Sequence, residues 1–140
     1  MLIVDSKILS WEDEQKSYLT WAGFEYVIDE LVMDYKLKER KCVAVYGPPR
    51  GGLPIAVTLS HRLNIPMIEK LSDRPTIGDV LVVDDIADTG KTLEPYVGKQ
   101  TVVYTLHYHK QSTVIPDKWV FEKLDKWIIY PWENMNEKQI

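Results

Sequence analysis

At 140 residues the chain has room for one domain, and an apolar content of 45% excludes a disordered chain and supplies a two-layer core. A net charge of −4 argues against a nucleic-acid partner held on a broad basic surface. It leaves room for a phosphorylated small molecule in a local cationic or amide-lined pocket. No apolar run approaches the roughly 18 residues of a membrane span, and the N-terminus lacks a basic-then-apolar secretory pattern. The expectation is a cytoplasmic protein with no membrane partner. Cys42, the single cysteine, sits in an apolar strand pattern and reads as a buried, inert thiol.

Along the chain, residues 1–18 form an extension in which Ser10 and Asp13 resemble a loose capping box, so a short helix is expected there. Thr20 opens a stronger helix, with Trp21, Phe24, Val27, Ile28, Leu31 and Tyr35 at helical spacing on one face. Residues 42–47 read as the first core strand. Pro48-Pro49-Arg50-Gly51-Gly52 breaks it, and a helix follows from Leu53 to Leu63 with Pro54 in its first turn. Residues 64–69 read as a short second strand and 79–84 as a third. A short helix is expected from about Gly90 to Gly98, then a Thr/Val/Tyr-rich strand over 100–108. Residues 119–121 and 126–130 read as short extended segments. Alternating strands and helices predict an α/β domain with a central parallel sheet and helices on its faces.

The densest chemistry is Val80-Leu-Val-Val-Asp84-Asp85-Ile-Ala-Asp88-Thr89-Gly90-Lys91-Thr92. Four apolar β-formers make a buried parallel strand, and ligands bind at the carboxyl ends of such strands. Three Asp at that end cost too much without a ligand. Carboxylates suit sugar hydroxyls or a divalent cation, and the Thr-Gly-Lys-Thr turn suits a phosphate. A sugar phosphate satisfies both halves. A nucleotide P-loop would need Gly where Asp85 stands. A receiver domain would need most of its length after the Asp pair, and only 55 residues follow Asp85.

This run resembles the phosphoribosyl-diphosphate signature of the type I phosphoribosyltransferases, and the resemblance extends over roughly residues 20–133. Tyr46-Gly-Pro-Pro-Arg50-Gly51-Gly52 resembles the same family's pyrophosphate loop, where the peptide bond entering the Arg can be cis; here that bond is Pro49–Arg50. Trp127-Ile128-Ile129-Tyr130-Pro131-Trp132-Glu133 resembles the hood of the microbial xanthine-guanine and hypoxanthine members. An aromatic face of this kind can bind a flat base by stacking.

The resemblance implies a type I phosphoribosyltransferase fold in a single domain over 1–140, with 107–140 as a small hood. It implies transfer from phosphoribosyl diphosphate to a 6-oxopurine, releasing pyrophosphate. Asp84 and Asp85 would hold the ribose hydroxyls, directly or through Mg²⁺. Asp88 would face the purine imidazole nitrogen and, with Arg50, act in catalysis. Thr89, Gly90, Lys91 and Thr92 would hold the 5′-phosphate, and Arg50 and Gly51 the diphosphate. Trp127 would stack on the base and the Ile128 backbone would meet its edge. A homodimer binding only small molecules is implied.

Two departures stand out. The family's base-recognising Lys aligns with His109, with Lys110 one residue later, so a bulge would have to bring Lys110 round or His109 would donate instead. The long mobile loop over the reaction is reduced to residues 71–78, where Arg74 would reach a diphosphate. A non-catalytic sensor of phosphoribosyl diphosphate or a nucleotide is the alternative that the short loop favours, and the Trp-Ile…Pro-Trp hood argues against a pyrimidine-directed transferase. His107 and His109, two apart on a strand, would share a face as half a metal site without a third ligand.

Overall fold

A computed structural model describes residues 1–98 and 100–134; the end of the hood, 135–140, lies outside them. The chain runs β1 (Leu2–Val4), β2 (Lys7–Glu12), β3 (Lys16–Leu19), α1 (Trp21–Leu37), β4 (Cys42–Tyr46), α2 (Leu53–Leu63), β5 (Asp79–Ala87), β6 (Thr101–Tyr108), β7 (Phe121–Glu122) and β8 (Trp127–Ile129). Two four-stranded sheets result, ordered β4-β5-β6-β7 and β1-β2-β3-β8. The first is parallel throughout. No described helix is long and apolar enough to cross a membrane.

Both helices follow from local sequence. The Thr20 hydroxyl accepts from Gly23 N–H at 3.0 Å and caps α1. Phe24, Val27, Ile28, Leu31 and Tyr35 are buried as their spacing predicts, whereas Trp21 is exposed at the helix start and only edges against Phe24 and Trp132. Helix α2 matches its predicted bounds and ends on Asn64 in the left-handed region. The two helices pack together on one face of the parallel sheet, over Val45, Leu81, Val83, Tyr104 and Leu106. The other face is covered by irregular chain, chiefly Leu93, Val114 and Leu71 over Ala44, Val80, Val82 and Val103.

Three expected elements take another form. Residues 1–18 contain no helix. They make a three-stranded antiparallel meander, in which the Asp13 carboxylate accepts from Gln15 and Lys16 N–H and tightens a strand turn instead of capping a helix. The meander's last strand, β3, pairs in parallel with β8. The expected second strand is a single bridge at Met67, because Asn64 ends α2 just before it and Pro66 has no N–H to donate. The expected helix after Gly90 is one 3-10 turn, Glu94–Tyr96. Pro95 removes a helical N–H there, and the i→i+3 bonds Tyr96 N–H to Leu93 and Val97 N–H to Glu94 replace the α pattern.

Candidate active site

The carboxyl end of β5 opens into a cavity of about 310 Å³. Asp84, Asp85, Asp88, Thr89, Gly90 and Thr92 line it from β5 and the following turn, and Trp127, Ile128, Tyr130 and Glu133 from β8 and beyond. Residues more than 30 positions apart in sequence thus share one wall, because β8 sits on the N-terminal meander: Lys16 pairs with Trp127, Ser17 with Ile128 and Tyr18 with Ile129.

Asp84 is buried at the cavity floor and Asp85 beside it is partly buried. Asp84 Oδ1 accepts from Asp85 N–H at 2.9 Å and Asp85 Oδ1 from Ile86 N–H at 2.8 Å. Burial and the neighbouring Asp85 charge push the Asp84 carboxyl well above the usual carboxylate range, and burial pushes Asp85 up as well. Gly51 abuts the Asp85 carboxylate so closely that a Cβ at position 51 would overlap it. The Pro49–Arg50 peptide bond is cis. Arg50 itself is exposed beside the cavity and does not line it.

The phosphate turn has lost the helix expected behind it. It is held by Thr113 N–H donating to the Thr89 carbonyl at 2.9 Å and by Leu93 and Glu94 N–H donating to that of Gly90. Gly90 has φ +93, and a Cβ there would meet the Thr113 backbone. Thr89, Gly90 and Thr92 face the cavity, whereas Lys91 is exposed outside its lining.

Asp88 is held on both oxygens. Its Oδ1 meets His109 Nδ1 at 2.7 Å and Gln111 Nε2 at 3.1 Å; its Oδ2 accepts from Lys123 Nζ at 2.9 Å. Burial pushes this carboxyl up, but the bonds from Lys123 and His109 outweigh burial and hold it below the usual range. Asp88 is therefore ionised and fixed in direction.

Neither of the residues expected to recognise the base, His109 and Lys110, is on the cavity lining. Strand β6 ends at Tyr108 without a bulge, and the chain turns back as Ser112 N–H bonds to the His109 carbonyl. Lys110 is left on the surface, 3.7 Å from Glu122 and away from the cavity. His109 is taken up by Asp88. The cation in the cavity is Lys123, which the sequence reading passed over. It follows β7, and its ammonium lies 4.9 Å from the centroid of the Trp127 ring. It stands four positions before Trp127, but no periodicity marks that spacing as a site.

The two histidines do not form half a metal site. His107 is buried, bonded through Nδ1 to the Tyr130 hydroxyl at 2.9 Å, and its imidazole is pushed down to about 3 by burial and the nearby Lys123 charge. The same hydroxyl bonds to the Asp85 carbonyl at 3.1 Å, tying the hood to the acid pair. No group of three His, Cys, Asp or Glu able to hold a metal occurs among the described residues. Arg74 is also misplaced for a diphosphate. It donates to the Gly78 and Gln100 carbonyls, at the amino ends of β5 and β6, opposite the cavity. None of residues 71–78 lines the cavity.

No family model matches the chain. A purine phosphoribosyltransferase from Pyrococcus horikoshii Ot3 superposes with a TM-score of 0.69 at 32% identity, covering 88% of this chain and 97% of that one. A xanthine-guanine-hypoxanthine phosphoribosyltransferase from Helicobacter pylori superposes at 0.67 with 24% identity, covering 83% and 92%. A xanthine-guanine phosphoribosyltransferase from Cereibacter sphaeroides is 29% identical over 114 residues, covering 64% of this chain and 68% of that protein.

Proposed function

The chain belongs to the purine phosphoribosyltransferases of the type I phosphoribosyltransferase family, and on that premise we propose that it transfers the phosphoribosyl group of phosphoribosyl diphosphate to a 6-oxopurine, guanine and hypoxanthine before xanthine. The N–C1′ bond forms as the C1′–O bond to diphosphate breaks, pyrophosphate leaves with the electron pair, and the purine imidazole proton passes towards Asp88. The observation that carries the 6-oxopurine reading is the cation on the base wall, Lys123 beside Trp127. A 6-oxo group accepts from that donor, whereas adenine presents an amino group and would leave it unpaired.

In this reading Asp84 and Asp85 hold the ribose hydroxyls. Two adjacent carboxylates at the cavity, one buried and one partly so, accepting from neighbouring N–H groups, are hard oxygen donors of the kind Mg²⁺ takes, so the residues present fit that ion. Mg²⁺ bound there would supply Lewis-acid polarisation of the diphosphate. Thr89, Gly90 and Thr92 hold the 5′-phosphate, with Lys91 adding charge from outside. Gly51 lets the loop approach the diphosphate beside Asp85, and Arg50 adds a charged donor. Trp127 stacks on the base and the Ile128 backbone meets its edge. A cytoplasmic, two-fold homodimer formed from single-domain chains is the proposed working state, symmetric pairs being the commonest assembly.

Competition among guanine, hypoxanthine, xanthine and adenine for one pool of phosphoribosyl diphosphate tests the base assignment. The oxopurines are expected to win over adenine by about tenfold or more, the worth of one hydrogen bond to a charged group. Adenine as the best substrate contradicts it.

The segment at 71–78 gives a second expectation. It lies outside the cavity, and among the described residues the cover comes from the hood, on the base side. Without a lid, water reaches C1′ more easily. Ribose 5-phosphate is therefore expected to accumulate when the enzyme is given Mg²⁺ and phosphoribosyl diphosphate but no base. No release above the uncatalysed rate would show that the site is closed by other means. Deleting 1–18 is a poor way to probe the cover, because it also strips β8 of its sheet neighbour.

A further inference from the structure

Asp88 is held by three partners without substrate, and two of them are short-reached. His109 follows directly on β6, and the Gln111 amide is exposed. The third, Lys123, sits on a long flexible stem, is only 10% exposed, and reaches both Asp88 and the Trp127 ring. An ammonium 4.9 Å from an indole centroid stands close to the layer in which a flat base makes contact, about 3.5–4 Å from the ring. Lys123 and Trp127 line the same cavity, so ammonium and base compete for one wall. A purine N–H directed at Asp88 Oδ2 would have to share that oxygen with the Lys123 ammonium.

We propose that Lys123 is an exchangeable plug of the base site: in the free enzyme its ammonium holds Asp88 and covers Trp127, and an incoming oxopurine displaces it from both and receives its hydrogen bond at the oxo edge. The proposal rests on the reading of Trp127 as the base platform. Displacement costs an ion pair and a cation–π contact. Only a base with an acceptor at the right edge returns a charged hydrogen bond, so selectivity arises from the exchange and not from shape alone.

Lys123→Met separates a plug from a simple donor. With saturating Mg²⁺ and phosphoribosyl diphosphate, two quantities are read: the KM for hypoxanthine, and the inhibition constant of unsubstituted purine, which has no oxo group. The KM is expected to rise about 10- to 100-fold in the variant, while purine binds more tightly than to the parent. An unchanged purine constant with a raised KM reduces Lys123 to a donor and overturns the plug. Equal weakening of both makes it a structural brace and overturns it too. Lys123→Gln, also uncharged, gives the same readings if the Met variant does not fold. Trp127→Ala distinguishes the underlying reading: if it moves neither constant, the platform itself is wrong, whereas if it weakens both and Lys123→Met moves neither, the plug alone fails.

Discussion

Replacing Asp84 and Asp85 together by Asn is expected to abolish binding of phosphoribosyl diphosphate while raising the melting temperature of the ligand-free protein. Asp84 is buried and Asp85 partly so, and burial pushes each carboxyl upward. A raised folded-state value means that folding favours the protonated form. The stabilising contribution is complete below the ordinary carboxylate range, about pH 4, and is lost as pH rises through the raised values. At pH 7 the free protein therefore bears the cost of charge at a desolvated pair, which a cationic ligand relieves. The Asn pair keeps the side-chain oxygens that accept from Asp85 and Ile86 N–H and removes the charge. A gain of about 1–3 kcal/mol is expected at pH 7, shrinking towards zero below about pH 4. Mg²⁺ with phosphoribosyl diphosphate should raise the melting temperature of the parent and leave the variant unmoved. A variant that binds as well as the parent would place the ribose elsewhere.

Asp88→Asn is expected to have the opposite effect on stability and to act on rate while leaving binding intact. Asp88 is held below the usual range, so its contribution is present above the ordinary carboxylate value and lost as pH falls through the lowered one. Removing its charge leaves Lys123 without its anion inside the cavity, and the free protein should melt lower at pH 7. A group that takes or balances a proton in the transition state contributes about 10²–10⁴-fold. The kcat should fall within that span while binding of phosphoribosyl diphosphate persists. A variant with full turnover would remove Asp88 from the chemistry.

Much of this site could be read along the chain, because its largest part is local. The run from Val80 to Thr92 is one strand and its turn, so the three carboxylates and the phosphate groups arrive together in sequence and in space. Helix α2 was legible for the same reason, with Pro54 and Asn64 marking its ends. Residues 1–18 were not, since their partner is β8, more than 100 positions away, and two-residue periodicity in so short a stretch competes with an apparent helix cap. The stretch from Gly90 to Gly98 read as a short helix, and Pro95 inside it confines the helical pattern to one 3-10 turn. Lys123 was invisible for a tertiary reason: its relation to Asp88, 35 positions earlier, exists only once β7 and β8 lie beside β5 and β6. The choice between His109 and Lys110 turned on where β6 stops, and strand ends are set by neighbours as much as by residues.

The most direct measurement is product stoichiometry. The full-length protein is given Mg²⁺, hypoxanthine and phosphoribosyl diphosphate labelled in the diphosphate, and nucleotide and pyrophosphate are counted together, with Asp88→Asn alongside. The account predicts inosine monophosphate and pyrophosphate in equal amounts once base saturates, with both falling together in the variant. Pyrophosphate in excess of nucleotide at saturating hypoxanthine, or tight binding with neither product from any purine, would contradict it.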